Sequence, residues 1–231
     1  MIKKPIKAIC WDLDWTLIHF KINSVKARRK AIKVLVEFGI PKSKLSKNLP
    51  ILENIEISKS IYKEHGYSKE KVRDIIKQVN EAIIEVEFEA ALKATIIEGI
   101  DQVLEYVEKQ KIKQAIFTYN THNNAVVSLK TAGISKYFEV IAGRDDIKNL
   151  KPHPDHLKFI CKQLNVDCDE ILIIGDTGRD IEAAINIGAY SIALNTKIPK
   201  FIKRDLFSLA QKIIEPNEIP LGLIKSIEEL L

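Results

Sequence analysis

Short apolar runs rich in β-branched residues recur along the chain, and helical patterns lie between them. The runs predict five strands, at residues 6–11, 114–117, 138–142, 170–174 and 191–194. The helical patterns predict helices at residues 100–109, 123–132, 154–164 and 179–187. Because strands that alternate with helices form parallel sheets covered on both faces, the sequence predicts an α/β fold with three layers.

The segment between the first two predicted strands contains helical patterns and no strand pattern. Helices are predicted at 23–38 and 50–65, and a third, long helix follows Ser68, which caps it. An all-helical insert of this size predicts a cap domain at residues 18–95, with a catalytic core formed by residues 1–17 and 96–231. Since ligands of open α/β sheets bind at the carboxyl ends of the strands, we expect the cap to lie over that edge.

The composition narrows the classes of function. The chain has 231 residues, of which 46% are hydrophobic and 29% charged, with a net charge of +5. Basic residues are dispersed, and the densest run, 26–30, falls on one helical turn, which is typical of a solvated helix face rather than a nucleic-acid site. No segment approaches the roughly 18 apolar residues of a membrane span. We therefore expect a cytoplasmic monomer or homodimer that binds neither nucleic acid nor membrane.

The three cysteines give no sign of a metal centre or a disulfide framework. Cys10, Cys161 and Cys168 are odd in number and show no CxxC spacing. Cys10 lies in an apolar run and is expected to be a small core residue.

The first chemical signal is the segment Asp12-Leu13-Asp14-Trp15-Thr16 at the end of the first predicted strand. Two carboxylates separated by one residue can divide the work of phosphoryl transfer, since one attacks phosphorus while the other exchanges a proton with the leaving group. The same spacing also occurs in polar turns capped by an aspartate. The pair alone leaves both interpretations open.

The second signal is Gly175-Asp176-Thr177-Gly178-Arg179-Asp180, after another predicted strand. If a helix begins there, Asp176 and Asp180 can face one point. With Asp12 they would form a site of oxygen ligands only, which suits Mg²⁺. A helix cap with an acid in its first turn is the structural alternative.

Two weaker signals complete the set. Thr118 ends the second strand with Asn120 close behind, and a hydroxyl with adjacent backbone amides can hold phosphoryl oxygens. Lys151 precedes Pro152 and Pro154, which restrict the loop and could hold the ammonium against a phosphate. Each is common by itself.

Together and in this order, the four signals resemble the motifs of the haloacid-dehalogenase-like (HAD) hydrolase superfamily. The resemblance covers essentially the whole chain. It includes the helical insert, which occupies the cap position of phosphoglycolate-phosphatase-like members, and residues 180–189 after the fourth motif. It implies a Rossmann-like core with a helical cap, dependence on Mg²⁺ and a small phosphorylated metabolite as substrate.

The resemblance also implies a role for each matched residue. Asp12 corresponds to the nucleophile that forms an aspartyl-phosphate, and Asp14 to the general acid/base whose backbone carbonyl also binds the metal. Thr118 corresponds to the hydroxyl that binds the phosphate, and Lys151 to the lysine that steadies both the nucleophile and the phosphate. Asn120, close behind Thr118, is also expected to bind the phosphate. The expected metal-binding residues are Asp12, Asp14, Asp176 and Asp180.

Two residues depart from the family pattern. Trp15 occupies a position where glycine is usual, so the backbone there should accept a bulky side chain, which could pack on the cap or narrow the entrance. His19 and Phe20 replace the Asp-Ser often found in phosphoglycolate-phosphatase relatives. His19 is expected to be a linker residue, with contact to substrate as the alternative. These departures leave the substrate open.

The resemblance therefore favours a Mg²⁺-dependent phosphatase that hydrolyses a small phosphate monoester. The alternatives are a sugar-phosphate mutase or another phosphotransferase on the same core, a haloacid dehalogenase and a non-catalytic regulator. Dehalogenases generally lack the second aspartate, so Asp14 disfavours them, and every essential acid is present, which disfavours a regulator. A phosphonate hydrolase would need a cap lysine, and Lys47 and Lys59 are candidates by abundance alone.

Overall fold

A computed structural model of the chain describes residues 4–196 and 205–231. Residues Lys21–Ala90 form one compact unit, and the rest of the described chain forms the other. The strands are β1 (Ala8–Trp11), β2 (Ile18–His19), β3 (Thr95–Ile96), β4 (Lys113–Phe117), β5 (Val140–Ala142), β6 (Ile171–Gly175), β7 (Tyr190–Leu194) and β8 (Lys212–Ile214). The α-helices are α1 (Ser24–Glu37), α2 (Ile51–Glu64), α3 (Lys69–Ala91), α4 (Ile100–Lys109), α5 (His122–Thr131), α6 (Pro154–Leu164), α7 (Gly178–Ile185) and α8 (Leu221–Glu228).

The larger unit is built on a six-stranded sheet with the order β5-β4-β1-β6-β7-β8. All neighbouring strands are parallel. Every residue of β1 and β6 is buried, as expected for central strands covered on both faces. The predicted α/β fold is confirmed, and each of the five predicted strands is present. Strand β8 and helix α8 were not predicted from the sequence. A strand of three residues is too short to show a clear alternation.

Helices cover the sheet on both faces. On one face, Cys10 and Ala115 pack in an apolar cluster with Leu157 and Ile160 of α6. Side chains alternate between faces along a strand, so Trp11 and Gln114 point to the other face. There Gln114 donates a hydrogen bond to the carbonyl of Leu104 in α4, 3.3 Å away. The sheet is thus the middle of three layers.

The smaller unit is a helical cluster formed by α1, α2 and α3. Its core contains Leu35, Tyr62, Ile75 and Val79, all buried. The basic run at 26–30 lies on α1, where Lys26 and Lys30 form ion pairs with Glu89 and Glu85 of α3. Acids of the same unit therefore pair with two of the four basic residues of this run.

The predicted cap segment, 18–95, contains a short ribbon of two strands that was not predicted. Strand β2 pairs antiparallel with β3, so Ile18 lies opposite Ile96. Strands of two residues carry too little pattern to be recognised. The ribbon belongs to the larger unit, and the helical unit begins and ends a few residues inside the predicted bounds. Within the described part of the chain, every helix is too short or too polar to cross a bilayer.

A buried polar pair joins β1 to β4 and α4. The indole N–H of Trp11 donates to Gln114 Oε1 at 3.1 Å, and both residues are buried. We expect Gln114→Leu to lower the free energy of unfolding by about 1–3 kcal/mol, because the indole donor would then be buried without an acceptor. Urea denaturation measures this, with the exposed α6 variant Gln163→Leu as the control. Equal unfolding midpoints for the two variants would contradict the expectation.

Candidate active site

The register of the sheet brings three of the predicted residues to one edge. Trp11 lies opposite Ile116 on one side and Ile174 on the other. Asp12 therefore leaves β1 beside the carboxyl ends of β4 and β6, where Thr118 and Asp176 follow. All three side chains are buried. Parallel packing alone accounts for this convergence of residues that are far apart in sequence.

Lys151 lies between two carboxylates at this edge. Lys151 is 3% exposed, and its ammonium forms an ion pair with Asp12 Oδ1 and another with Asp180 Oδ1 at 2.8 Å. It also donates to the carbonyl of Phe117, 3.1 Å away. Burial alone would lower the pKa of Lys151, but the two carboxylates together raise that pKa above its ordinary value. The lysine is therefore a fixed positive charge against Asp12.

The turn after β6 holds Asp180 in place. Asp180 Oδ2 accepts hydrogen bonds from the backbone N–H and hydroxyl of Thr177, at 2.9 and 2.6 Å, and this capping box begins α7. A Cβ atom at Gly175 would lie 2.4 Å from Asp180 Cγ. Glycine is thus required at 175 by the close approach of this carboxylate.

Three carboxylates gather beside the ammonium. Asp12, Asp176 and Asp180 each offer an oxygen within 4.8 Å of the others, and all three are buried. Burial, together with the charges of Asp12 and Asp180, raises the pKa of Asp176 to about 9. Burial also raises the pKa of Asp12, with Lys151 acting in the opposite direction. Such a cluster fits a divalent cation, because hard oxygen ligands and an excess of negative charge are what Mg²⁺ requires.

Asp14 lies at the same edge but is held by a different residue. The amide Nδ2 of Asn120 donates to both carboxylate oxygens of Asp14, at 2.9 Å each. The backbone N–H of Asn120 donates to Thr118 Oγ1 at 3.1 Å. The carboxylate of Asp14 is not part of the three-carboxylate cluster. This agrees with the resemblance, which implies that Asp14 binds the metal through its backbone carbonyl.

Trp15 adopts a left-handed backbone conformation, with φ of 64°. This conformation favours glycine and explains why a glycine is usual at this position in the family. The expectation of a backbone suited to a bulky residue is therefore wrong. The Trp15 ring packs edge-on against His19, with ring centroids 5.5 Å apart. His19 lies in β2, as part of the ribbon rather than of a linker.

Several residues of the site were not assigned a role from the sequence. The hydroxyl of Thr16 donates to Asp12 Oδ2 at 3.1 Å and is 3.5 Å from Asp176 Oδ1. The Tyr119 hydroxyl donates to the carbonyl of Lys151, and the Arg179 guanidinium lies 5.5 Å from the Tyr119 ring centroid. The spacing Asp-x-Asp-x-Thr was a signal for Thr16. No sequence signal indicated Tyr119 or Arg179, because only the fold brings these two residues close to each other and to the site.

These groups line one cavity of about 580 Å³. Asp12, Asp14, Thr118, Lys151 and Asp176 form its polar floor. Its wall includes Trp15, Tyr119, Pro152, Thr177, Gly178, Arg179, Glu182 and Leu206. A cavity of this size at a sheet edge admits a small molecule.

A family model described as haloacid dehalogenase-like hydrolase matches residues 9–194, a range that includes the cavity floor from Asp12 to Asp176. The chain belongs to this family.

Relatives of this HAD hydrolase match either nearly the whole chain or a part of it. A protein of Thermotoga maritima named phosphorylated carbohydrates phosphatase is 28% identical, covering 96% of this chain and all of that one. The phosphoglycolate phosphatase of Escherichia coli is 39% identical over 66 residues, 29% of this chain and 26% of that one. The crystal structure of β-phosphoglucomutase from Clostridium difficile matches 97% of each chain with a TM-score of 0.64 and 21% identity. This likeness confirms the HAD fold.

We expect Gly175→Ala to destabilise the protein by more than about 2 kcal/mol, since its methyl group would displace Asp180 from Lys151 and Thr177. The matched control is Gly133→Ala, where φ is 74° and an added Cβ meets nothing within 4 Å. The control should lose about 1–2 kcal/mol through backbone strain alone. Chemical denaturation measures both, and an equal loss in the two variants would contradict the close-approach argument.

Proposed function

We propose that the protein is a Mg²⁺-dependent phosphatase that hydrolyses a small phosphate monoester through an aspartyl-phosphate on Asp12. The observation that carries the proposal is the division of the site between two aspartates. Asp12 lies within the carboxylate and ammonium cluster, and Asp14 lies outside it with its own amide partner. This division supports Asp12 as the attacking carboxylate and Asp14 as the group that transfers the proton.

In the first half-reaction, an Asp12 carboxylate oxygen attacks phosphorus and the bond to the ester oxygen breaks. Asp14 gives its proton to the departing oxygen, which leaves as an alcohol. In the second half-reaction, Asp14 takes a proton from water as the water oxygen attacks phosphorus, and the bond between phosphorus and the Asp12 oxygen breaks. Free phosphate leaves, and the Asp12 carboxylate and protonated Asp14 are restored.

The remaining groups of the site support the attack of the Asp12 carboxylate on a phosphate that is also negatively charged. Asp12, Asp176 and Asp180, with the backbone carbonyl of Asp14, would hold Mg²⁺, which supplies charge neutralisation for the phosphoryl oxygens when bound. Lys151 holds Asp12 and offers its positive charge to the incoming phosphate. Thr118 supplies the hydroxyl for a phosphoryl oxygen.

For Asn120 we propose a role in orienting Asp14 in addition to binding phosphate. Both oxygens of Asp14 are engaged by its Nδ2 atom. A donor that contacts both oxygens restricts rotation of the carboxylate and keeps Asp14 facing the cavity.

The cavity and the relatives support a small phosphorylated metabolite as substrate. The relative that aligns over its whole length is named for phosphorylated carbohydrates, and another is named for phosphoglycolate. A mutase such as β-phosphoglucomutase would use the same core and pass the phosphoryl group to a sugar phosphate instead of water. The acceptor therefore separates the two functions.

We expect the purified protein to release phosphate from p-nitrophenyl phosphate in the presence of Mg²⁺ and to stop when a chelator is in excess. Asp12→Asn removes the nucleophile and should lower kcat by roughly a thousandfold or more. Asp14→Asn removes the proton donor and should lower kcat by about 10²–10⁴-fold. Steady-state assays with and without Mg²⁺ measure these effects.

The matched control is Asp101→Asn, an exposed acid in the first turn of α4, which should keep wild-type activity. Full activity of Asp12→Asn, or activity that persists in chelator, would contradict the mechanism. Release of p-nitrophenol that depends on an added sugar-phosphate acceptor, without matching release of free phosphate, would favour the mutase. A panel of sugar phosphates, phosphoglycolate and nucleoside monophosphates then identifies the substrate.

A further inference from the structure

His156 is a fully buried histidine directly behind the loop that carries Lys151. It lies in the first turns of α6, five residues after Lys151, and it does not line the cavity. Its Nδ1 atom is 3.2 Å from the backbone N–H of Lys151, and its Nε2 atom is 3.0 Å from the carbonyl of Ala142 at the end of β5. Both ring nitrogens are therefore engaged by backbone groups.

These two contacts fix the tautomer of the ring. A carbonyl can only accept, so Nε2 carries the hydrogen and donates it to Ala142. A backbone N–H can only donate, so Nδ1 must present its lone pair to Lys151. A charged imidazolium carries hydrogen on both nitrogens and could not accept from Lys151. The geometry thus requires a neutral imidazole with hydrogen on Nε2.

The surroundings of the ring favour the neutral form. Burial and the nearby Lys151 charge lower the pKa of His156 to about 4, while Asp146, Asp180 and the carbonyl of Ala142 act in the opposite direction. A histidine is therefore able to serve here as a constant acceptor across the neutral pH range.

The ring also connects Lys151 to the strands that form the site. It packs edge-on against the Phe117 ring, with centroids 5.8 Å apart. The Lys151 ammonium lies 4.2 Å from the centroid of that ring and donates to the carbonyl of Phe117. The backbone of Lys151 is held by His156, while its side chain crosses the end of β4 to reach Asp12.

We propose that His156 is a positioning residue for Lys151. Its neutral ring fixes the Lys151 backbone amide to the end of β5, so that the ammonium meets both Asp12 and Asp180. The catalytic part of this proposal rests on the proposed phosphatase function, whereas the contact itself can be tested without activity.

Two amide variants separate the two contacts. In His156→Asn, the side-chain oxygen can take the place of Nδ1 and still accept from Lys151. In His156→Gln, the side-chain nitrogen can take the place of Nε2 and still donate to Ala142, but the acceptor for Lys151 is lost. Both variants bury one amide in place of the ring, so we expect similar losses of thermal stability.

Their activities should differ. We expect kcat and kcat/KM on p-nitrophenyl phosphate to fall together by roughly tenfold to a hundredfold in His156→Gln, because a misplaced Lys151 weakens transition-state stabilisation. His156→Asn should stay within about threefold of wild type, by the same argument. The control is Leu157→Ala, the fully buried neighbour in α6, which should lower the melting temperature and leave kcat unchanged.

Equal kcat values in the Asn and Gln variants would overturn the proposal, as would a matching loss of kcat in Leu157→Ala. Nitrogen NMR of the wild-type imidazole provides a test without activity, with a neutral ring carrying hydrogen on Nε2 as the expected result. Hydrogen exchange at the Lys151 amide should be slow in wild type and His156→Asn and faster in His156→Gln. A ring with hydrogen on Nδ1, or equal exchange in all three proteins, would also overturn it.

An inactive wild type that shows the expected tautomer and exchange pattern would refute the phosphatase function while supporting the contact between His156 and Lys151. An active wild type with the opposite tautomer would refute the positioning role alone.

Discussion

The ammonium of Lys151, buried between the carboxylates of Asp12 and Asp180, is the interaction on which the site depends. It places one positive charge among three buried carboxylates, since Asp176 completes the group. A buried charge is tolerated only when it is paired, and here the pairing leaves an excess of negative charge. That excess is the physical reason for expecting a divalent cation. In the proposed function, the cation and the lysine together would make attack on a phosphate feasible.

The fold is arranged to deliver these charges to one point. Asp12 and Asp176 come from adjacent parallel strands, so the register of β1 and β6 sets their separation. Asp180 arrives on the first turn of α7, at the distance that glycine at 175 permits. Lys151 enters from a loop whose backbone is held by His156 and whose carbonyl accepts from Tyr119. Each charged group thus has its own source of rigidity.

The sequence predicted the sheet and the convergence of Asp12, Thr118 and Asp176, because buried strands leave a strong apolar pattern and parallel strands align their carboxyl ends. It also allowed Asp176 and Asp180 to face one point if a helix began between them. They do so in the structure, where α7 begins at Gly178 and Asp176 lies before it. Contacts that depend on three-dimensional packing could not be predicted from the sequence. No sequence signal distinguished His156 from the other histidines. The side chain of Asn120 was expected to bind phosphate, and its hydrogen bonds to Asp14 were not predicted. Trp15 shows the same limit, since only the backbone reveals the left-handed conformation that disfavours it.

The most direct test of this account compares the stability of wild type and Asp176→Asn with and without Mg²⁺, by urea denaturation at pH 7 and pH 8.5. Without metal, the folded-state pKa of Asp176 is raised to about 9, far above that of an unfolded aspartate. The folded protein then holds an extra proton, so wild-type stability should fall by roughly 1 kcal/mol per pH unit relative to the variant. Mg²⁺ should restore the stability of the wild type, more strongly at pH 8.5, and leave the stability of Asp176→Asn unchanged. A free energy of unfolding of the wild type that Mg²⁺ does not change at either pH would contradict a metal site at these carboxylates.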